Sequence, residues 1–178
     1  MKMAGLDSLR GMIVRGVLKL VDSGRKMQSV QMGITAGEGK GGLEHFEPYG
    51  FTSNPAPGAE GVVVFLGGDR SHGAVICLAD RRFRLAGLES GEVALYSDEG
   101  DSIVFKRGRV IEVTTETYRV KTQRYEVVAP GGVEYTTPDM NVSGGVAAGE
   151  DVTVGKISLK AHAHKKVQQG EDVSGGPV

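Results

Sequence analysis

Apolar and polar residues alternate with a period of two along most of the chain, which predicts β-strands rather than helices. Glycine, proline, asparagine and aspartate residues end the alternating runs. The predicted strands in the first part of the chain cover residues 12–21, 26–34, 61–66 and 74–78, with a ribbon through residues 83–85 and 92–96. Five or six short strands with one long connection are typical of a small Greek-key barrel. The pattern therefore predicts an all-β protein with an OB-fold barrel over residues 1–95.

Composition narrows the class of protein further. The chain has 28 glycines among 178 residues, but they follow no three-residue period and there are only 6 prolines, which excludes collagen. Because 21 basic residues are balanced by 22 acidic ones, no charge excess is available to hold a nucleic acid or an anionic membrane. Cys77 is the single cysteine and the N-terminal residues lack the apolar core of a secretory signal, so we expect folding in a reducing cytoplasm.

The later part of the chain has β character but no second apolar layer. Residues 103–128 form a β-rich run with few breaks, and residues 141–159 contain a weak short repeat that suggests a β-helix or a prism of strands. Strands with one apolar stripe cannot bury that stripe within one chain, and a long exposed strand edge favours aggregation. We therefore predict that three chains intertwine over residues 96–160, as in the shaft of a fibre or spike.

Two histidines near the C-terminus form a candidate metal site. His162 and His164 are two residues apart, so an extended strand would place both imidazoles on one side. Three chains on an axis would then supply six nitrogens, an octahedral set suited to a divalent ion such as iron, nickel or zinc. The alternative is that both histidines are solvated residues in a frayed tail. This is the more common interpretation of a lone His-x-His motif, but the position after a predicted trimeric shaft favours the metal site.

Three segments carry a resemblance to a known family. They are residues 45–72, beginning with HFEPYGF, residues 80–96, with DRRFR and GEVALY, and residues 157–177, with ISLKAHAH and SGGP. In this order they resemble the central spike, or baseplate assembly protein V, of contractile-tailed bacteriophages of the Mu and P2 type, most closely the Mu-like branch. One departure is the pair Lys165 and Lys166, where smaller residues are expected beside the histidines.

The resemblance implies a homotrimer whose N-terminal OB-fold barrel docks on the phage baseplate hub protein. It also implies an intertwined triple-stranded β-helix over residues 96–160 and a tip over residues 161–178, where His162 and His164 of three chains bind one iron ion. Such a spike pierces the host outer membrane when the tail contracts. The protein would be part of the virion tail baseplate, made in the host cytoplasm, neither an enzyme nor a nucleic-acid partner. The alternative function is an OB-fold nucleic-acid-binding module with a flexible tail.

Four other features have simpler interpretations. His72 could join a neighbouring acid or serine as a catalytic group, but no nucleophile elbow accompanies it, so we expect a turn residue. The glycine-rich segment 37–42 lacks the Gly-Lys-Ser/Thr of a phosphate loop and is predicted to be a surface loop. Cys77 lies in an apolar strand and is predicted to be a core residue. The basic clusters 80–84 and 106–109 are expected to pair, between strands and between subunits, with Glu89, Glu92, Asp98, Glu99 and Asp101 rather than to bind single-stranded nucleic acid.

Overall fold

Five strands close into a small barrel in the first part of the chain. The structure, a computed structural model, describes residues 12–35 and 38–163. The barrel strands are β1 (Ile13–Asp22), β2 (Ser29–Thr35), β3 (Glu38–His45), β4 (Glu60–Phe65) and β5 (Gly73–Ala79). Their order is β1-β2-β3-β5-β4, with β4 pairing back onto β1, and only the β3–β5 pair is parallel. This Greek-key order is that of an OB-fold, so the predicted all-β class and barrel are confirmed.

The barrel has its own apolar core, built from alternate residues of its strands. Val63 and Phe65 on β4 are completely buried, and Val62 and Val64, which alternate with them, are only partly buried. The buried cluster consists of Leu18, Val30, Met32, Leu43, Ala59, Val63, Phe65 and Val75. This set draws on all five strands and on the connection before β4, so one chain is sufficient to fill the barrel.

A glycine allows β4 and β5 to approach each other closely. A methyl group added at Gly61 would lie 2.8 Å from the carbonyl oxygen of Cys77 and 2.6 Å from a methyl carbon of Leu78. Both distances are shorter than van der Waals contact, so any side chain here would push β4 and β5 apart. Gly61 is therefore required by the packing of the barrel.

Cys77 is exposed, and the prediction that it is a core residue is wrong. β4 and β5 pair Val62 with Cys77 but Val63 with Val75, which leaves Ile76 as an extra residue in a β-bulge. The extra residue shifts the alternation of inward and outward positions by one. Cys77 therefore faces outward with Val62, whereas an unbroken strand would have placed it on the inner side with Val75.

The glycine-rich segment is a strand, so the prediction of a surface loop at residues 37–42 is wrong for its described part. Residues 38–42 belong to β3, where Gly39 pairs with Gly33 and Lys40 pairs with Met32 on β2. Glycine weakens a strand, but long-range pairing and the burial of Leu43 at 3% exposure compensate here. Residue 37 lies outside the described residues.

A second, smaller sheet follows the barrel. It is an antiparallel meander of β6 (Val93–Tyr96), β7 (Ser102–Lys106) and β8 (Val110–Thr114), with β7 in the middle. Residues 83–85 form no strand, contrary to the prediction, because the backbone amides of Phe83 and Arg84 close a turn onto the carbonyl oxygen of Asp80.

The chain divides into two compact units, Met1–Lys121 and Thr122–Val178. In the described part of the second unit, two short strands, β9 (Thr153–Val154) and β10 (Ile157–Ser158), form an antiparallel hairpin. No other strand is assigned between residues 122 and 163. No helix within residues 12–35 and 38–163 has the length and apolar character needed to cross a membrane.

Candidate functional site

One face of the β6–β7–β8 sheet is apolar and uncovered. Residues directly opposite each other in an antiparallel ladder, and residues two apart on one strand, lie on the same face. The pairing therefore places six apolar residues on one side, in two rows that cross all three strands, which we call the apolar sheet face: Val93, Phe105 and Ile111, then Leu95, Ile103 and Val113. Their exposure ranges from 36% at Ile103 to 62% at Ile111.

The opposite face of the same sheet has a different character. It carries the polar residues Ser102, Lys106, Glu112 and Thr114 together with Ala94, Tyr96, Val104 and Val110. Val104 is only 8% exposed, whereas Tyr96 and Val110 are 46% and 51% exposed. A free sheet normally turns its polar side to water, but here six apolar side chains face water in a single chain. A contiguous patch of this kind marks a contact surface for a protein.

A groove continues the apolar sheet face. Leu95, Ile103 and Val113 line it together with Tyr118 and Arg119, and its volume is about 540 Å³. The second row of the face is therefore also the wall of an open recess. A partner that covered the face would have space for side chains in this recess.

The second unit also leaves its apolar residues uncovered. Apart from Ser158, every residue from Thr122 to Ala163 is exposed in the single chain. The large apolar residues among them are Tyr125, Val127, Val128, Val133, Tyr135, Met140, Val142, Val146, Val152, Val154, Ile157 and Leu159. The described part of this unit has no buried core of its own.

An aspartate organises the β9–β10 hairpin. The Asp151 carboxylate accepts hydrogen bonds from the backbone amides of Val152 at 2.8 Å and Lys160 at 3.1 Å. The Ser158 side chain, followed by the Lys160 amide, holds the pKa of Asp151 below its ordinary value. Sequence reasoning missed Asp151. The available signal was an aspartate directly before a short apolar segment, a position where it often bonds to nearby backbone.

His162 follows this hairpin and is bonded back to it. Its backbone amide donates to the carbonyl oxygen of Ser158 at 3.0 Å, and its ring Nδ1 lies 3.1 Å from the carbonyl oxygens of both Ser158 and Leu159. A carbonyl oxygen can only accept, so Nδ1 carries the hydrogen and the lone pair is on Nε2. This is the tautomer in which histidines commonly ligate metals, with the other nitrogen bonded to a backbone carbonyl.

The second predicted ligand, His164, lies outside the described residues. Among the residues that the structure describes, no group of three or more histidine, cysteine, aspartate or glutamate side chains is arranged to hold a metal ion. One chain was expected to provide only two ligands, so the predicted site of three chains stays a prediction.

His72 is a turn residue, as predicted. Its backbone amide donates to the carbonyl oxygen of Asp69, and its Nδ1 lies 3.2 Å from the Asp69 carboxylate and 3.3 Å from the Ser71 hydroxyl. The amide of Ser71, followed by its hydroxyl, lowers the pKa of Asp69 to about 2. The Ser71 hydroxyl donates to Asp69 at 2.7 Å, so the carboxylate organises an exposed turn.

The basic clusters pair with acidic residues as expected, but their ion pairs are with Glu60, Asp80 and Glu112. Of the predicted partners, Glu92 accepts a hydrogen bond from the backbone amide of Arg107 at 3.1 Å. Arg81 bonds to Glu60, which Arg15 also contacts from β1, and Lys106 bonds to Glu112 across β7 and β8. Arg82 pairs with Asp80, and its guanidinium also donates to the carbonyl oxygen of Pro57. Arg82 therefore does not form a separate basic patch. These arginines and the lysine therefore stabilise the surface of the first unit.

An OB-type barrel that fills its own core, followed by strands whose apolar side chains are exposed in a single chain, is the architecture of a β-rich structural protein. Comparison with known proteins identifies its family. Residues 15–82 match the family model described as bacteriophage Mu Gp45, N-terminal. The chain belongs to this Mu-like family of phage baseplate proteins.

Two relatives support this assignment. The chain is 34% identical over 139 residues to the "Baseplate puncturing device gp45" of Escherichia phage Mu, an alignment that covers 78% of this chain and 66% of that protein. It is 26% identical over 163 residues to the "Mu-like prophage FluMu protein gp45" of Haemophilus influenzae, covering 89% of this chain and 88% of that protein.

Proposed function

We propose that this protein is the central spike of a contractile phage tail baseplate and that it pierces the host outer membrane when the tail contracts. The spike is a homotrimer with three parts: the barrel of residues 1–95 docks on the baseplate hub protein, residues 96–160 form a triple-stranded β-helix, and residues 161–178 form the tip. It is made in the host cytoplasm and becomes part of the virion tail. Its role is mechanical and requires no catalysis.

The observation that carries the proposal is the apolar sheet face. Its six side chains are exposed in a single chain, and Tyr118 and Arg119 extend the surface beside it. Copies of the same chain related by a closed rotation bury such a face without leaving an open, growing end. The name of the phage Mu relative, a baseplate puncturing device, supports a spike as the assembly that results.

The alternative, an OB-fold nucleic-acid-binding module with a flexible tail, is not favoured. Such a module combines a basic groove with rings on which bases stack. Arginines of the barrel are engaged with Glu60 and Asp80, and the chain has a formal net charge of −1. A phosphate backbone would therefore meet a chain with no excess of positive charge.

At the tip, His162 and His164 from three chains hold one iron ion. The hydrogen bonds from His162 Nδ1 to backbone carbonyls fit this role, because they direct the lone pair to Nε2 and fix the ring. When bound, the ion would tie three C-terminal segments together where apolar side chains become sparse. His164 completes the two ligands that each chain contributes.

Sedimentation of the purified full chain tests the oligomer. A trimer of 18.8 kDa chains should sediment at three times that mass, whereas the nucleic-acid-binding alternative predicts a compact monomer or dimer. A monomer at micromolar concentration would contradict the spike.

Elemental analysis of the same trimer tests the tip. We expect one iron ion per three chains in protein produced with iron, and none in the His162→Ala, His164→Ala double variant. His72→Ala is the matched control, because His72 is also exposed but lies in a turn of the barrel and should not affect the metal. Metal retained by the double variant, or absent from a wild-type trimer, would refute this site.

A further inference from the structure

The connection between β3 and β4 presents exposed aromatic rings. We call residues 46–59 the aromatic loop. Phe46 and Phe51 are 51% and 61% exposed, and Tyr49 is fully exposed. Rings of this size usually pack inside a protein or into a partner, because each removes a large apolar area from water. Here three of them are held outside the barrel core.

Both ends of the aromatic loop are bonded to barrel strands. At its start, the backbone amide of Phe46 donates to the carbonyl oxygen of Val75 on β5 at 2.8 Å. At its end, the amide of Gly58 donates to the carbonyl of Leu18 at 2.9 Å, and the amide of Leu18 donates to the carbonyl of Ala59 at 2.8 Å. The loop is therefore fixed to β5 on one side and to β1 on the other.

The middle of the loop is fixed by a buried polar pair. The Gln28 side chain donates through Nε2 to the carbonyl oxygen of Ser53 at 2.7 Å and accepts from His45 Nδ1 at 2.8 Å. Gln28 and His45 are the two buried polar residues of the described chain. Burying such groups is favourable only when they are fully bonded, and here their bonds hold the loop to the barrel.

A carboxylate stiffens the loop from within. Glu47 accepts hydrogen bonds from the backbone amide of Ser53 at 2.7 Å and from the Thr52 hydroxyl at 3.0 Å. The Ser53 and Thr52 hydrogen bonds keep the pKa of Glu47 below its ordinary value despite the opposing effect of desolvation. The rings thus extend from a loop whose conformation is set before any partner binds, which lowers the entropy lost on binding.

The charge around the rings indicates the chemistry of the partner. No lysine or arginine occurs in the sequence between Lys40 and Arg70, and Phe46 is flanked by the exposed Glu44 and the partly buried Glu47. Arg82 reaches the end of the loop, where it donates to the carbonyl oxygen of Pro57, but its charge is paired with Asp80. An acidic surface with exposed rings repels a phosphate backbone. It complements a protein surface where an apolar recess is edged by lysine or arginine, since these cations also bind the faces of aromatic rings.

We propose that the aromatic loop is the docking element of the barrel for another protein, whose site is an apolar recess edged by basic side chains. Phe46, Tyr49 and Phe51 insert into the recess, and Glu44 meets its basic edge. The proposal rests on the proposed function, because that function places the partner protein in the baseplate. It adds which part of the barrel makes the contact and what the partner must present.

The test uses a phage that lacks this chain's gene and is supplied with full-length wild type or variants in the same host. The test variant is Tyr49→Ala, Phe51→Ala, which leaves the bonds of Gln28 and Glu47 in place. The control is Leu66→Ala, Ile76→Ala, which removes two similarly exposed apolar side chains elsewhere on the barrel. The amount of this protein in purified tails is measured by immunoblot, and thermal melting checks that each variant is folded.

We expect wild type and control in tails at equal amounts and the test variant at least about tenfold lower, the scale of losing central interface rings. Glu44→Lys should also lower incorporation, because it reverses the charge beside the rings. Full incorporation of the test variant would overturn the proposal that the aromatic loop is the docking element, but it would leave the proposed spike function standing. Absence of the wild type from tails overturns both proposals.

Two further measurements address other occupants of the loop. If the test variant loses its oligomeric state in sedimentation, the loop contacts a second copy of this chain, and the proposal is overturned. If wild type binds a single-stranded oligonucleotide and the test variant does not, the loop binds nucleic acid, and the proposal is overturned as well.

Discussion

Ile111 and Val110 are neighbours on β8 that point to opposite sides of the sheet, so they form a matched pair for testing the trimer. Ile111 lies on the apolar sheet face and is 62% exposed in one chain, whereas Val110 lies on the other side and is 51% exposed. If copies of the chain cover the face, Ile111→Ala should weaken the trimer and Val110→Ala should have little effect.

The size of the effect follows from the exposed fraction of the side chain. Isoleucine to alanine removes three carbons, each contributing about 0.8 kcal/mol when fully transferred out of water. Since 62% of Ile111 remains to be buried by association, the loss is about 1.5 kcal/mol per chain and about 4.5 kcal/mol per trimer. This corresponds to an increase of the trimer dissociation constant by about a thousandfold.

A dilution series followed by sedimentation equilibrium measures this constant for wild type and both variants. Dissociation of the Ile111→Ala variant should begin at much higher protein concentration than for wild type, while Val110→Ala should follow wild type. Equal effects of the two substitutions would refute the assignment of the apolar sheet face as the contact. So would an Ile111→Ala trimer as tight as the wild-type one.

Two further predictions concern the barrel. Burial lowers the pKa of His45 below 6.5, so as pH falls below that value the unfolded chain binds a proton that the folded barrel resists, and thermal stability should fall. A melting temperature that does not change from about pH 8 to about pH 5 would contradict this, and His45→Gln should flatten the dependence. Gly61→Ala should destabilise the barrel by about 1–3 kcal/mol because its methyl group would contact the β5 backbone, whereas Gly41→Ala, with open space around it, is the control. Thermal melting of both glycine variants checks this, and equal melting temperatures would contradict it.

The barrel was predictable where the local sequence pattern decides the structure. The strands β1, β4 and β5 lie within one residue of the predicted ranges, because each is a short run dominated by apolar residues. The errors fall where a residue's position depends on a distant partner. Cys77 faces outward because β5 contains a bulge opposite β4, and a bulge is a property of the pair of strands. Likewise, residues 38–42 form a strand because β2 lies beside them.

The candidate site was predictable in part for the same reason. The single apolar stripe of β6–β8 can be recognised in the sequence, since residues two apart share a face. The hydrogen bonds that orient His162 could not be recognised, because they depend on a turn onto Ser158 and Leu159. The bond from Gln28 to Ser53 also joins residues far apart in the sequence. Pattern identifies the faces of strands, but only the fold shows which polar groups meet.

The distribution of buried apolar residues distinguishes the barrel, which is proposed to dock, from the regions that are proposed to assemble with other copies of the chain. The barrel buries Leu18, Met32 and Phe65 completely within one chain, so its stability does not depend on protein concentration. The apolar sheet face and residues 122–163 are exposed in one chain, so in the proposed trimer their stability depends on association. A substitution in the barrel core should therefore lower stability equally at all concentrations. A substitution on the apolar sheet face should lower stability most in dilute solution, where the proposed trimer dissociates most readily.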